Sequence, residues 1–394
     1  MAFALRKSRR HFSERYGVPG EVNFYAWIEE GSYSGLRFND PDLTNWNPKD
    51  RQSNSPEISS QMDLFAKFSD WHLHAPLRNI FVGVVPAIQP NALASAIIDD
   101  CPCIAISAGL LSSLDQCLVL WESVYRVLAE TITHPAFKHM TDREAMDLYF
   151  QKFHGKGVGV EMAKANSLRR LLLNADPEFI KEALADPHGM EPPAERVPTI
   201  DRLKQPRRRI ASLGFVVAHE LAHVLLGHVC HAATRGYAEE KLARHREVID
   251  RLPFRNSSQR DEVDADLFGF HEILLGSFRE KATRVKMVPR GERDRQYAAM
   301  VGQCLEGAAI ATLALHLVGS AGEIPTGIST HPAPAIRIQA LCDAAQDCLT
   351  AVLSRTSEPD VGPRGPGYLT RAAELPRTIH SAYEIVASVV DSAK

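Results

Sequence analysis

"VVAHELAHVLLGH", residues 216–228, sets two histidines and a glutamate inside an otherwise apolar run. His219 and His223 are four residues apart, so on an α-helix they project from one face, a turn apart, with Glu220 beside them. Two imidazoles at that spacing can hold one zinc ion, and a carboxylate next to them can act as a base toward a bound water. The flanking Val, Leu and Ala predict a buried helix over about 209–232.

Zinc needs a third protein ligand. His228 follows His223 by five residues, which on a continuous helix turns it about 140° away. The metzincin pattern would need that histidine one position later. His231 lies more than two turns along the axis, so neither histidine is expected to ligate. Downstream, "SQRDEVDADLFGFHEILL" (258–275) offers Glu262 and Asp266, again four apart on a predicted helix of about 257–283. That helix can supply one carboxylate to the metal and, a turn later, a second to accept a hydrogen bond from a zinc-bound histidine. Two histidines and one glutamate leave a fourth position open for water, the arrangement of catalytic zinc.

H-E-x-x-H followed by E-x-x-x-D resembles the gluzincin metallopeptidases, and E-x-x-A-D in particular resembles the family of CAAX prenyl proteases and HtpX-type and Oma-type peptidases. "STHPAPAIRIQAL" (329–341) resembles that family's Ser/Thr-His-Pro segment, with an arginine six residues after the histidine. "PNALASAIIDDCPCIAISAGLL" (90–111) is similar to its Asn-Ala edge strand and the strand that follows. The resemblance covers roughly 80–112 and 209–341. It implies a zincin (gluzincin) fold, with Asn91 and Ala92 on the strand that pairs with extended substrate, and His331 and Arg337 placed to stabilise the oxyanion and bind substrate. It also implies that Asp266 orients His219. The well-known members carry transmembrane helices or export signals that are not expected here, and a soluble phage-exclusion peptidase of the Lit kind is also compatible.

The chemistry follows from the ion. Zinc on His219, His223 and Glu262 would acidify its water and polarise a peptide carbonyl. Glu220 would take the water's proton and pass it to the leaving amine. The reaction expected is endopeptidase cleavage of a protein or peptide substrate. Two other readings stay open: a regulated toxin or phage-defence peptidase held inactive until triggered, and a catalytically silent zinc scaffold. Glu220 argues against the scaffold, because structural zinc has no use for a base.

The rest of the 394 residues sets the frame. A net charge of −3, with 24% charged and 45% hydrophobic residues, gives no overall electrostatic reason for nucleic-acid binding. The basic clusters "RKSRRH" (6–11) and "QPRRRI" (205–210) read as a solvated tail and a charged helix entry. Seven cysteines form no regular framework, and Cys101-Pro-Cys103 has no matching pair, so a reducing, cytoplasmic setting is expected. The most apolar segment, 306–322, contains His316 and reads as a core helix, not a membrane span.

The fold class expected is α+β, predominantly α-helical, with one small sheet. Residues 1–75 read as an accessory segment, with a turn-rich loop over 38–57. A catalytic domain would span 76–345, interrupted by a helical insertion at about 113–208, with a helix beginning near Ser113. A further helix is expected over 293–318. Residues 346–394 read as a linker and a C-terminal amphipathic helix near 378–392. Any regulatory partner would contact the insertion or the N-terminal segment.

Overall fold

A computed structural model describes residues 2–30, 47–49, 51–87, 91–96, 102–111, 113–115, 117–118, 121, 205–229, 234–277, 290–319, 332–354 and 372–391. Residues 122–204 of the insertion, His331, Cys101 and the whole 357–369 connector lie outside these residues. What is described is mostly helical, with one three-stranded sheet, so the α+β expectation holds.

The chain opens with helices α1 (Ala2–Tyr16), α2 (Phe24–Glu30), α3 (Pro56–Phe68) and α4 (Trp71–Arg78). They are no appendage. Phe12, Phe24, Ile58, Met62 and Phe65 belong to the same buried cluster as the sheet and the later helices. The basic run 6–11 is likewise no solvated tail. Ser8 and Arg9 are buried, and the Arg9 guanidinium donates to the carbonyls of Lys49 (2.6 Å) and Arg51 (2.5 Å). Sequence reasoning missed this because the carbonyls that receive Arg9 lie some forty residues away.

Strands β1 (Phe81–Val85), β2 (Ala92–Ala96) and β3 (Pro102–Ser107) stand in the order β1-β3-β2. β1 runs parallel to β3, pairing Phe81 with Cys103, and β2 runs antiparallel to β3, pairing Ala92 with Ile106. β1 is buried along its length, which is why "FVGVV" is apolar at every position instead of alternating. Its outer edge is closed by the segment before α3: Val82 N–H donates to Gln52 O, and Asn54 accepts from Val84 N–H while donating to Val84 O. Asn54 thus mimics a neighbouring strand and covers an edge that would otherwise be open to pairing. Helix resumes directly after β3, at residue 108 and not near 113.

The long helix α5 (Gln205–Leu226) carries the H-E-x-x-H stretch. Its basic entry is a set of anchors: Arg208 pairs with Glu306 (2.7 Å), and Arg209 with Asp115 (2.6 Å) and Glu57 (2.8 Å). α5 stops at Leu226, short of the expected 232. Gly227 adopts φ +79°, a left-handed conformation that ends the helix and turns the chain. Beyond it come α6 (Arg235–Leu242), a 3-10 turn (Ala243–His245), α7 (Arg246–Asp250) and α8 (Ser257–Phe268). α8 is capped by Asn256, which accepts from Gln259 N–H. It continues as a π-helical segment, Gly269–Leu275.

Helices α9 (Arg290–Gly319), α10 (Pro334–Leu353) and α11 (Leu375–Asp391) complete the helical layer. α5 and α9 contain stretches long and apolar enough to cross a membrane, but 83% and 78% of these stretches is buried inside the protein. They are core helices by packing.

Candidate metal centre

α5, α8 and α10 meet around one buried cluster. His219 Nε2 and His223 Nε2 lie 3.1 Å apart. Glu262 from α8 places Oε2 3.4 Å from the first and Oε1 3.5 Å from the second. Tetrahedral bonds of about 2.0–2.1 Å to one zinc would set its ligand atoms roughly 3.3 Å apart. Among the described residues this is the one group in which three such donor atoms converge within 4.8 Å. The donor set and its spacing therefore fit a zinc ion held by His219, His223 and Glu262.

The helices approach closely because of a glycine. A Cβ on Gly269 would come within 2.9–3.0 Å of the Ala218 carbonyl group and of His219 N. Only glycine lets α8 and the π-helical segment lie against α5 at the turn that presents His219.

Asp266, fully buried, takes His219 Nδ1 at 2.8 Å. This leaves Nε2 facing the cluster. Arg337 holds Asp266 in turn, with Nε and Nη2 each 2.7 Å from a carboxylate oxygen, while Nη1 lies 3.7 Å from Glu262. Arg337 is 3% exposed. A two-pronged carboxylate bond to Asp266 takes up the Nε and Nη2 edge of the guanidinium.

His228, set aside as a ligand, has a position that sequence reasoning missed. The turn at Gly227 folds it back, so that its Nδ1 sits 2.9 Å from His223 Nδ1 and its N–H donates to the His223 carbonyl. It supports His223 from the side away from Glu262, and its own Nε2 lies 3.8 Å from Asp261. The angular argument assumed a continuous helix, whereas "LLGH" carried a glycine stop signal that could have revealed the turn.

Glu220 is buried beside the cluster, and its Oε2 accepts the N–H of Ala94 at 2.7 Å. That N–H points away from β3, from the outer edge of β2. Asn91 and Ala92 stand at the start of the same strand. The Asn91 backbone is committed to Ser107, donating to its hydroxyl and accepting from its N–H, while the Asn91 side chain is exposed.

Charge is distributed unevenly over the two histidines. Burial opposes a proton on His219, but the Asp266 charge and hydrogen bond outweigh it and raise its pKa to about 10. Burial and the charge on His219 push His223 down to about 3. Without metal, these shifts favour the imidazolium at His219 and the neutral imidazole at His223. Burial raises the Glu220 carboxyl above the usual range and Glu262 adds to this, while His219 and the Ala94 N–H act in the other direction.

Comparison with protein-family profiles, with curated proteins and with solved structures finds no match. What the cluster can do is therefore argued from its own chemistry.

Proposed function

We propose that this protein is a soluble, cytoplasmic zinc-dependent endopeptidase with a zincin-like active site. The observation that carries the reading is the convergence of His219 Nε2, His223 Nε2 and Glu262 at tetrahedral spacing, with a non-ligating glutamate bonded to a strand edge beside them. When bound there, zinc supplies Lewis acidity that acidifies water and polarises a peptide carbonyl.

The chain's own groups supply the rest. Glu220, its carboxyl pushed upward by burial, takes a proton from water and returns it to the leaving amine. Asp266 fixes His219 with Nδ1 protonated, Arg337 fixes Asp266, and His228 steadies His223. The outer edge of β2, from Ala92, offers backbone groups to an extended peptide, which explains why this edge faces the cluster while Asn54 closes the opposite one. Cys103, Cys117, Cys304, Cys342 and Cys348 are all in the thiol form, in keeping with a reducing compartment.

The test is metal analysis of the purified protein together with cleavage-site profiling on a cell lysate, wild type against Glu220→Gln. The expected outcome is one tightly bound zinc in both, and cleavage products from the wild type alone. Equal product patterns would leave the glutamate without a role and sink the peptidase reading.

A further inference from the structure

A second histidine cluster lies on the far side of the π-helical segment. His271, within that segment, stacks on His245 from the 3-10 turn, with ring centroids 4.4 Å apart and planes inclined by 27°. His271 Nδ1 lies 3.8 Å from the Cys348 thiol of α10. These side chains line a cavity of about 600 Å³ together with Glu272 and Asp347. Both ring nitrogens of His245 and Nε2 of His271 are buried with no hydrogen-bond partner, and His245 is only 5% exposed.

Buried polar atoms without partners are rare and destabilising. An apolar occupant would leave them unsatisfied. An anionic one would meet three carboxylates, Asp70, Glu272 and Asp347, against two cations, Lys241 and Arg244, around the same cavity. Imidazole nitrogens with a thiol are instead the donor set of thiophilic divalent cations. Two of the three donors already stand near ligating distance, while His245 does not: zinc bonds of about 2.3 Å to sulfur and 2.0–2.1 Å to nitrogen set S and N roughly 3.6 Å apart. The observed separation is 3.8 Å. Arg244, which lines the cavity, is held by an ion pair with Glu272. Single π-helical turns inside helices are frequent at functional sites, and this one presents His271 to the cavity.

We propose that His245, His271 and Cys348 form a second metal site, for zinc or another thiophilic divalent ion, separate from the His219–His223–Glu262 cluster. His271 and Cys348 stand at near-ligating distance, and His245 joins them by a side-chain rotation from its stacked position. Asp347 or water completes the coordination. The site does not depend on the peptidase reading, and its sulfur gives it a signature the first cluster cannot have.

The experiment titrates the full-length, metal-stripped protein with cobalt(II) under reducing conditions and follows the near-ultraviolet thiolate-to-cobalt absorption. Two equivalents should bind, with the thiolate band growing in with one of them. Cys348→Ser should abolish the band. His245→Ala should weaken that equivalent by more than the roughly 10–100-fold that loss of an outer partner costs. Glu262→Ala, which removes a ligand of the first cluster, should keep the band. No thiolate band in the wild type at saturating cobalt would overturn the proposal, as would a band surviving in Cys348→Ser. Should Cys348→Ser fail to fold, an unweakened thiolate equivalent in folded His245→Ala would overturn it equally.

Discussion

The two buried histidine pairs are built on opposite plans. At His219 and His223 each Nδ1 has a partner, Asp266 for one and His228 for the other, and the Nε2 atoms converge on Glu262. At His245 and His271 three ring nitrogens have no partner, and the rings stack instead of converging. The first arrangement fixes tautomer and direction before any ion arrives, at the cost of burying Asp266, Arg337 and Glu262 together. The second carries no such scaffold and must adjust to whatever binds. Preorganisation by outer partners is thus what distinguishes a centre suited to catalysis from one suited to capture.

If that distinction is right, removing the outer partners of the first pair should degrade it by graded amounts. The largest effect belongs to Arg337→Met. It strips the guanidinium from buried Asp266 and Glu262 and leaves them only the His219 imidazolium beside them, and breaking a buried pair on one side costs about 3–5 kcal/mol. Chemical denaturation of the metal-free protein should show this loss, and a change below about 1 kcal/mol would mean the Arg337–Asp266 bond is not maintained in solution. Asp266→Asn should come next. It keeps the shape but removes the charge on His219 Nδ1, so zinc affinity should fall roughly 10–100-fold, measured by competition with a chelator. Unchanged affinity would erase the contrast between the two pairs.

Much of the first centre was legible because its signals are local. An apolar run with histidines four apart states the helix, its face and its ligands, and Asn256 before "SSQ" marks the start of α8. Glu262 and Asp266 could be paired with it because their spacing repeats the helical turn. Arg337 was picked out as belonging to the site, but its partner was not legible, since it lies 71 residues away from Asp266 and only tertiary packing joins them. His228 stands outside the converging donor group, as expected, but its place beside His223 was not foreseen, because a left-handed residue, Gly227, ends the helix before it. The N-terminal segment read as accessory because its polar residues look like loop. Asn54 and Arg9 are instead buried hydrogen-bonding groups whose backbone partners no periodicity reveals. The π-helical segment has no sequence period of its own, so nothing in the sequence marked His271 apart from the helix around it.

Smaller effects should follow from the proton that occupies the first pair. His219, raised to about 10, holds this proton at neutral pH, whereas His223, lowered to about 3, does not. Zinc must displace one proton, so its apparent affinity should rise by up to about tenfold per pH unit below pH 10. For the metal-free protein the sign is opposite. A group whose folded pKa is raised contributes stability that is fully present below its unfolded value, near 6.5, and that is lost as pH climbs through about 10. Melting of the metal-free protein should therefore move to lower temperature between pH 7 and pH 10. Proton release on zinc binding, measured by calorimetry in buffers of different ionisation heat, should be close to one from this pair at pH 7–8. Zero release would mean His219 is already neutral.

The smallest effect should come from His228→Ala. Its imidazole meets His223 Nδ1 at 2.9 Å, but it is a neutral partner on a ligand that burial already keeps unprotonated, and Asp261 reaches it only at 3.8 Å. Asp266, by contrast, is a buried charge locked by a two-pronged arginine. Losing His228 removes one restraint on the His223 ring, which the helix and its Nε2 contacts with His219 and Glu262 still hold, so zinc affinity should fall by about tenfold at most, the low end for an outer partner. His228→Gln, which can still hydrogen-bond toward His223 Nδ1, should recover most of that loss, whereas His228→Leu, which fills space without a bond, should not. Equal affinities for the Gln and Leu variants would show that His228 only packs there. A loss with His228→Ala as large as that with Asp266→Asn would show that orientation of the ring, more than charge on it, is what the first pair gains from its partners.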